Sequence, residues 1–254
     1  MFSHSNALLS LTFILSILTA APGVTSASCS ISDLKVTGDS LPAQESPTLF
    51  LTFGVGTQNY TCSDAGNYTA AGAVAQIFDI SCDFKDNVKN LPQFSTDVFK
   101  AWSDHHETGH VQTLKGGSIR LAFHSSLFGA EGTVISTLKK DFPSLAKSES
   151  LLGEHFFIPN PTGSPGTSPK WDFTKSQKNS KAFVTVQRKA SIAAPTGKQD
   201  IDWLDLTSID GELAYEVYRT DTRGGQPPAK CEPGSGPISV AYTSAYWFTQ
   251  PKSQ

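Results

Sequence analysis

The sequence lacks most of the signals that assign a function. There is no clustered basic excess: 20 Lys and Arg are mixed along the chain with 23 Asp and Glu, for a formal charge of −3. A nucleic-acid surface gathers its cations on one face, so no nucleic-acid partner is expected. No C-x-x-C pair is present, and no histidine is spaced to complete a zinc finger. G-x-S-x-G is missing, and with it the nucleophile elbow of the α/β-hydrolases. Gly54-Val55-Gly56 follows a strand-like run, but Asn59 stands where a dinucleotide fingerprint needs its last glycine. No βαβ alternation follows either, which rules against a Rossmann domain, and no cofactor is expected. The chain shows no internal repeat and no long low-complexity tract. Only Ala7 to Ala21 forms a long apolar run, and it falls short of the roughly 20 residues that cross a bilayer.

What is there points to export. The apolar run leads into small residues, and Thr25-Ser26-Ala27 fits an A-x-A-like cleavage site, although no Lys or Arg precedes the run. Residues 1–27 therefore read as a signal peptide and 28–254 as one secreted domain, extracellular or in the cell wall, with no membrane span. The polar stretch from Gln250 to Gln254 lacks a lipid-anchor signal. Cys29, Cys62, Cys82 and Cys231 lie in the secreted part, and in an oxidising compartment they imply two bridges. Three connectivities are open. The preferred one joins Cys62 to Cys231 and Cys29 to Cys82; the first closes a long loop and so restricts the unfolded chain. Two sequons flank Cys62, at Asn59-Tyr60-Thr61 and Asn67-Tyr68-Thr69, and mark Asn59 and Asn67 as glycan acceptors.

The patterning is mainly β. Thr48 to Tyr60 and Ala73 to Cys82 read as strands, and Glu154 to Ile158, Trp171 to Phe173, Phe183 to Ala190, Gly211 to Thr220 and Ile238 to Phe248 follow. Between them, about residues 85–152 change period. Phe94, Val98, Ala101 and Trp102 recur at helical spacing, with Ser95 as the N-cap, and Val134 to Phe142 and Ser144 to Leu152 are further helix candidates. Ser118 to Phe123 alternates as a strand would. The expectation is an antiparallel sandwich or barrel-like single domain carrying an α-containing insertion.

Three constellations carry chemistry. His106-Glu107-Thr108-Gly109-His110 is a literal H-E-x-x-H, which on a helix sets two histidines on one face for zinc, with Glu107 as base. Gly109 weakens such a helix, the flanking residues are polar, and no third ligand stands out among Glu131, Glu149 and Glu154. A solvated turn is the better reading, so no metal is favoured. Asp200, Asp202 and Asp205 cluster around Trp203. Paired carboxylates beside an aromatic ring suit a glycosidase, but acidic turn residues beside a core tryptophan explain them more simply. His155, beside Phe156 and Phe157, reads as a satisfied core histidine ahead of a pocket group.

Seven blocks, in order over about residues 45–248, resemble the family DUF3455, a domain of unknown function found in filamentous fungi and some bacteria. They are Gly54 to Cys62, Ile77 to Cys82, Gly153 to Phe157, Pro169 to Phe173, Asp200 to Leu206, Val217 to Pro228 and Tyr242 to Phe248. The resemblance implies a secreted single domain, supports Cys62–Cys231, and implies no established reaction. Phe156 stands where the family has Tyr, so any hydroxyl role there is lost, and the HETGH string falls outside the shared blocks. The leading functional expectation is a non-enzymatic exported protein that binds a small molecule or a cell-wall glycan. His155, Trp171, Asp202, Trp203 and Arg219 are its candidate binding residues. A secreted hydrolase, through zinc at His106 and His110 or through carboxylates at Asp202, is the alternative, and a secreted effector or elicitor is another.

Overall fold

The computed structural model describes residues 29–36, 41–105, 109–110, 133–147 and 149–250. The signal peptide expected over residues 1–27 and the strand expected at Ser118 to Phe123 lie outside the described residues. Nine strands are described: Thr48–Cys62 (β1), Tyr68–Asp79 (β2), the two-residue Gly109–His110 (β3), Leu151–Pro159 (β4), Thr167–Asp172 (β5), Phe183–Ile192 (β6), Trp203–Asp210 (β7), Glu216–Gly224 (β8) and Ile238–Thr249 (β9). Each strand pairs antiparallel with its neighbour in the order β1-β2-β4-β5-β6-β7-β8-β9, and β9 then pairs back onto β1. The registers of that last pair run from Thr48↔Thr249 to Tyr60↔Ile238. The fold is thus a closed barrel, and the sandwich alternative falls away. Closure removes the free edges that an open sheet would offer to other chains. β3 is an extra piece on the start of β9, through Gly109↔Ser239 and His110↔Ile238.

Eight strands leave an interior about wide enough for side chains to fill. Trp171 on β5 and Tyr246 on β9 belong to opposite sides of the ring of strands, yet their ring centroids are 5.1 Å apart. They meet across the lumen. Pairing then identifies the other lumen residues, because partners directly opposite share a face: Phe50 with Phe248, Thr52 with Tyr246, Tyr246 with Arg219, and Ala75 with His155. Gly54 makes room for this arrangement, since a Cβ there would come within 2.6 Å of the Tyr246 ring. At Gly56 a Cβ would lie 2.0 Å from the Val74 main-chain oxygen. The two glycines that suggested a nucleotide loop are packing devices of a barrel strand.

The helices are Ser81–Phe84 (α1), Leu91–Ser103 (α2), Thr133–Leu138 (α3) and Thr174–Gln177 (α4). α2 buries Leu91, Ser95, Val98 and Trp102, one stripe at helical spacing, against the outside of the barrel. Trp102 donates its indole N–H to Gly56 O at 2.8 Å, and Arg223 of β8 donates to Thr96 Oγ1 and Pro92 O. Ser95 is therefore an interior, buried position and not the N-cap. Pro92 starts the helix earlier, because its missing N–H falls in the first turn, where donors have no helical partner anyway. The helix expected over Ser144 to Leu152 is instead turns followed by β4, with Leu151 paired to Phe78. Short apolar runs fit either period. β7 was hidden for the opposite reason: its aspartates are poor strand formers, yet tertiary pairing on both sides holds it extended.

Both bridges form as preferred. Cys29–Cys82 has Cα atoms 5.6 Å apart and Cys62–Cys231 5.9 Å apart. They bind opposite ends of the barrel. Cys82 follows the end of β2, where the helices leave. Cys62 ends β1 beside the loops joining β6 to β7 and β8 to β9, and this end is called the Gly225 mouth below.

Candidate functional site

The middle of the lumen is aromatic and buried. His155 stacks on Trp171 with centroids 4.2 Å apart and planes 13° from parallel, and Tyr246 closes on both. His155 is 2% exposed, and burial pushes its pKa down to about 3, assisted by the nearby Arg219 charge and opposed by a hydrogen bond to Lys170 O. That carbonyl, 3.0 Å from Nδ1, can only accept, so the neutral ring carries its proton on Nδ1. Trp171 is as deeply buried, and its Nε1 has no hydrogen-bond partner.

Toward the Gly225 mouth the lumen turns polar. Arg219 donates from Nε and Nη2 to the main-chain oxygen of Asp202, at 3.0 and 2.8 Å. Tyr60 donates its hydroxyl to Gly225 O at 2.6 Å, and the Tyr242 and Tyr246 hydroxyls share a 3.1 Å hydrogen bond. Burial pushes Tyr60 up to about 12 and Tyr242 well above its ordinary value, in each case against the Arg219 charge. Outside these groups lies a cleft of about 290 Å3 lined by Ala193, Ala194, Gly197, Lys198, Asp200, Asp202 and Gln226. Asp200 is spent on structure: its carboxylate accepts from Gly224 N, Thr196 Oγ1 and Gln199 Nε2. Asp202 accepts from Ser191 Oγ at 3.0 Å and is partly exposed.

The sequence candidates therefore divide. His155, Trp171 and Arg219 share the lumen, and Asp202 lines the cleft at its mouth. Trp203 does not join them. It alternates with Leu204, which pairs with lumen-facing Arg219, so its indole belongs to the outer face, 8% exposed. Asp205 lies on that outer face too, fully buried. Lys189 Nζ reaches Glu216 Oε1 at 2.6 Å and stands 3.2 Å from Asp205 Oδ2, an ion pair out of line for a hydrogen bond. Burial raises the Asp205 pKa, the Lys189 ammonium lowers it, and the Glu216 carboxylate raises it again. The three aspartates around Trp203 are thus a brace tied to main chain and side chains at the cleft, a partly exposed cleft residue and a buried carboxylate beside the exposed Lys189 ammonium.

Asn59 is 1% exposed within β1, with Oδ1 accepting from Thr57, so the folded chain has no room for a glycan there. Asn67 is exposed in the β1–β2 turn. His106 and Glu107 lie outside the described residues, but the backbone at Gly109–His110 is extended, not the helix that an H-E-x-x-H site requires. Among the described residues no three His, Cys, Asp or Glu side chains gather where they could hold a metal ion, and no helix is long and apolar enough to cross a membrane.

A match to the family described as "Protein of unknown function (DUF3455)" covers residues 42–250, nearly the whole chain. The chain belongs to the DUF3455 family. No curated protein matches it, and no solved structure does. This DUF3455 barrel carries its polar lumen groups mainly on strands that the family resemblance had already marked. Tyr60, Tyr242 and Tyr246 were nevertheless missed as site residues. Tyr242 and Tyr246, an even number of positions apart on one strand, were the legible sign of a shared face.

Proposed function

We propose that this DUF3455 protein is an exported, single-domain binding protein that takes a small polar molecule, or the end of a cell-wall glycan, at the Gly225 mouth. The observation that carries the reading is the cleft, where Asp202, Lys198 and Gln226 offer hydrogen-bonding side chains above the barrel. A few convergent polar groups in a concavity of this size are the usual make-up of a small-molecule site. Asp202 is the candidate that contacts ligand, and Arg219 grips the Asp202 main chain. His155 and Trp171 form the packed floor that holds the mouth in shape. The two disulfides suit an oxidising compartment outside the cell.

The hydrolase alternative has less support. Two carboxylates that cleave a glycosidic bond must flank the bond with one free to give a proton; of the two acids on the cleft, Asp200 already accepts from Gly224 N, Thr196 Oγ1 and Gln199 Nε2, and Asp205 and Glu216 are held on Lys189. The effector reading names a destination and leaves the site as it is.

The test is a thermal-shift and calorimetric screen of the purified secreted protein against soluble wall oligosaccharides and small polar compounds. Saturable binding that Asp202→Ala and Gln226→Ala abolish, with the melting temperature unchanged, is the expected result. Binding that survives both substitutions, or release of new reducing ends from the oligosaccharides, would overturn the reading.

A further inference from the structure

On the outside of the barrel, three neighbouring strands bring an amine, a buried carboxyl group and a second carboxylate together. Lys189 lies on β6, Asp205 on β7 and Glu216 on β8. The β6–β7 register shifts between Arg188 and Ala190, and Lys189 is the extra residue. Such a bulge sets two residues of one strand against one of the next, here Lys189 and Ala190 against Asp205. Lys189 Nζ thus comes 3.2 Å from Asp205 Oδ2 and 2.6 Å from Glu216 Oε1.

The two contacts differ in kind. The one to Glu216 is an aligned hydrogen bond. The one to Asp205 is not, and among the described residues neither Asp205 oxygen has a hydrogen-bond partner, although the side chain is 0% exposed. A buried carboxyl group without a donor is costly to keep charged. Burial raises the Asp205 pKa, the Lys189 ammonium lowers it, and the Glu216 charge raises it again. Glu216 is fixed in its turn: its Oε2 accepts from the Tyr218 hydroxyl at 3.2 Å, and the residue is 5% exposed. A plain ion pair would align the ammonium on both acids. Here it is aligned on one and merely set beside the other.

From this juxtaposition of an amine, an unpartnered buried carboxyl group and a second carboxylate, we propose that Lys189 and Asp205 join as an amide, a cross-link between β6 and β7 that the folded chain makes on itself, with Glu216 as proton carrier. Lys189 Nζ attacks Asp205 Cγ. The ammonium starts with three protons and the carboxylate with none. One N–Cγ bond forms and one Cγ–O bond breaks. The freed oxygen leaves as water with two of the three protons, so the charges cancel and nothing is oxidised or reduced. Glu216 takes the protons from nitrogen and passes them to the departing oxygen. Its hydrogen bond pushes the Lys189 pKa up to about 12, so the amine has to be released in place, by a base already seated on it. Fixed proximity of nucleophile and carboxyl carbon does the rest. The Lys189 side chain is 44% exposed, which gives the water a way out.

The experiment is peptide mapping by mass spectrometry on the full, folded protein after both disulfides are reduced. The expected result is a branched peptide that joins the segments carrying Lys189 and Asp205, lighter than its two parts by one water, with no tryptic cleavage after Lys189. Lys189→Arg and Glu216→Gln should each return linear peptides of full mass, and in the Glu216→Gln protein Lys189 should acetylate once the chain is denatured. The wild-type map decides the link even where a variant fails to fold. Lys189 and Asp205 found only in linear peptides of full mass would overturn the proposal, and so would a loss of water that survives Lys189→Arg. A branched peptide formed as fully in Glu216→Gln would keep the link and reject Glu216 as its carrier.

Discussion

The two halves of the barrel lumen are built from the same strands and solve opposite problems. The half away from the Gly225 mouth is closed by Phe50, Phe173 and Phe248, whose rings meet edge-on or tilted at 5.3–5.9 Å. The half at the mouth holds Arg219, Gln58 and the tyrosine hydroxyls, with donors left over. Apolar packing is concentrated in the first and polar groups in the second, because a buried polar group helps only when its hydrogen bonds are made. The layer of His155, Trp171 and Tyr246 is the boundary, aromatic in packing and polar at its edges.

The largest effects should separate the two ends through their disulfides. Replacing Cys62 and Cys231 by Ser opens a span of 169 residues, and replacing Cys29 and Cys82 opens one of 53. By chain entropy the first should cost about 5 kcal/mol and the second about 4 kcal/mol. Urea unfolding measures both, and a reversed order would mean that the mouth is not where the fold is most constrained. Next in size is Trp171→Ala, expected to lose about 3–5 kcal/mol because the lumen cannot collapse around the void. Trp171→Phe should cost much less, since it keeps most of the packing and deletes an N–H that has no partner. Equal losses for the two would show that the indole N–H matters after all.

His155 provides a sharper probe of the boundary layer. Its folded pKa is pushed down to about 3 from an ordinary 6.5. Below pH 6.5 the unfolded chain takes up a proton that the folded ring refuses, so stability is whole above 6.5 and falls with pH down to about 3. The slope from this one group is about 1.4 kcal/mol per pH unit. Denaturation midpoints of wild type and His155→Gln between pH 7 and 4 should converge as acid is added, and parallel curves would refute a buried neutral imidazole. The smallest effect concerns glycans. Asn67→Gln should lower the mass of the secreted protein by one glycan with little change in stability, whereas Asn59→Gln should leave the mass alone.

Much of the fold could be read from the chain because its signals are local. Apolar and aromatic runs marked β1 and β9, alternation marked β6, and four cysteines expected in an oxidising compartment led to the right pairing. The failures were local as well. Pro92 started α2 before the expected cap, and Leu151 joined a strand where helical spacing had been read. The run from Asp200 to Asp205 looked like a turn because aspartate disfavours strands, and it concealed β7 together with the division of its three acids among three environments. His155, Trp171, Asp202 and Arg219 were named from the family blocks. Trp203 was named with them, and a shift of one position along β7 puts it on the other face.

Composition and pattern alone determined a β-rich, twice-bridged chain, because side-chain alternation and cysteine number need no partner to be seen. Only the tertiary structure decided that β9 returns to β1, across nearly 200 positions, and so makes a barrel. Pairing partners so far apart are chosen by how a whole set of side chains fills one interior. The same closure set the Arg219 guanidinium against the main-chain oxygen of Asp202, and no local pattern could have announced that.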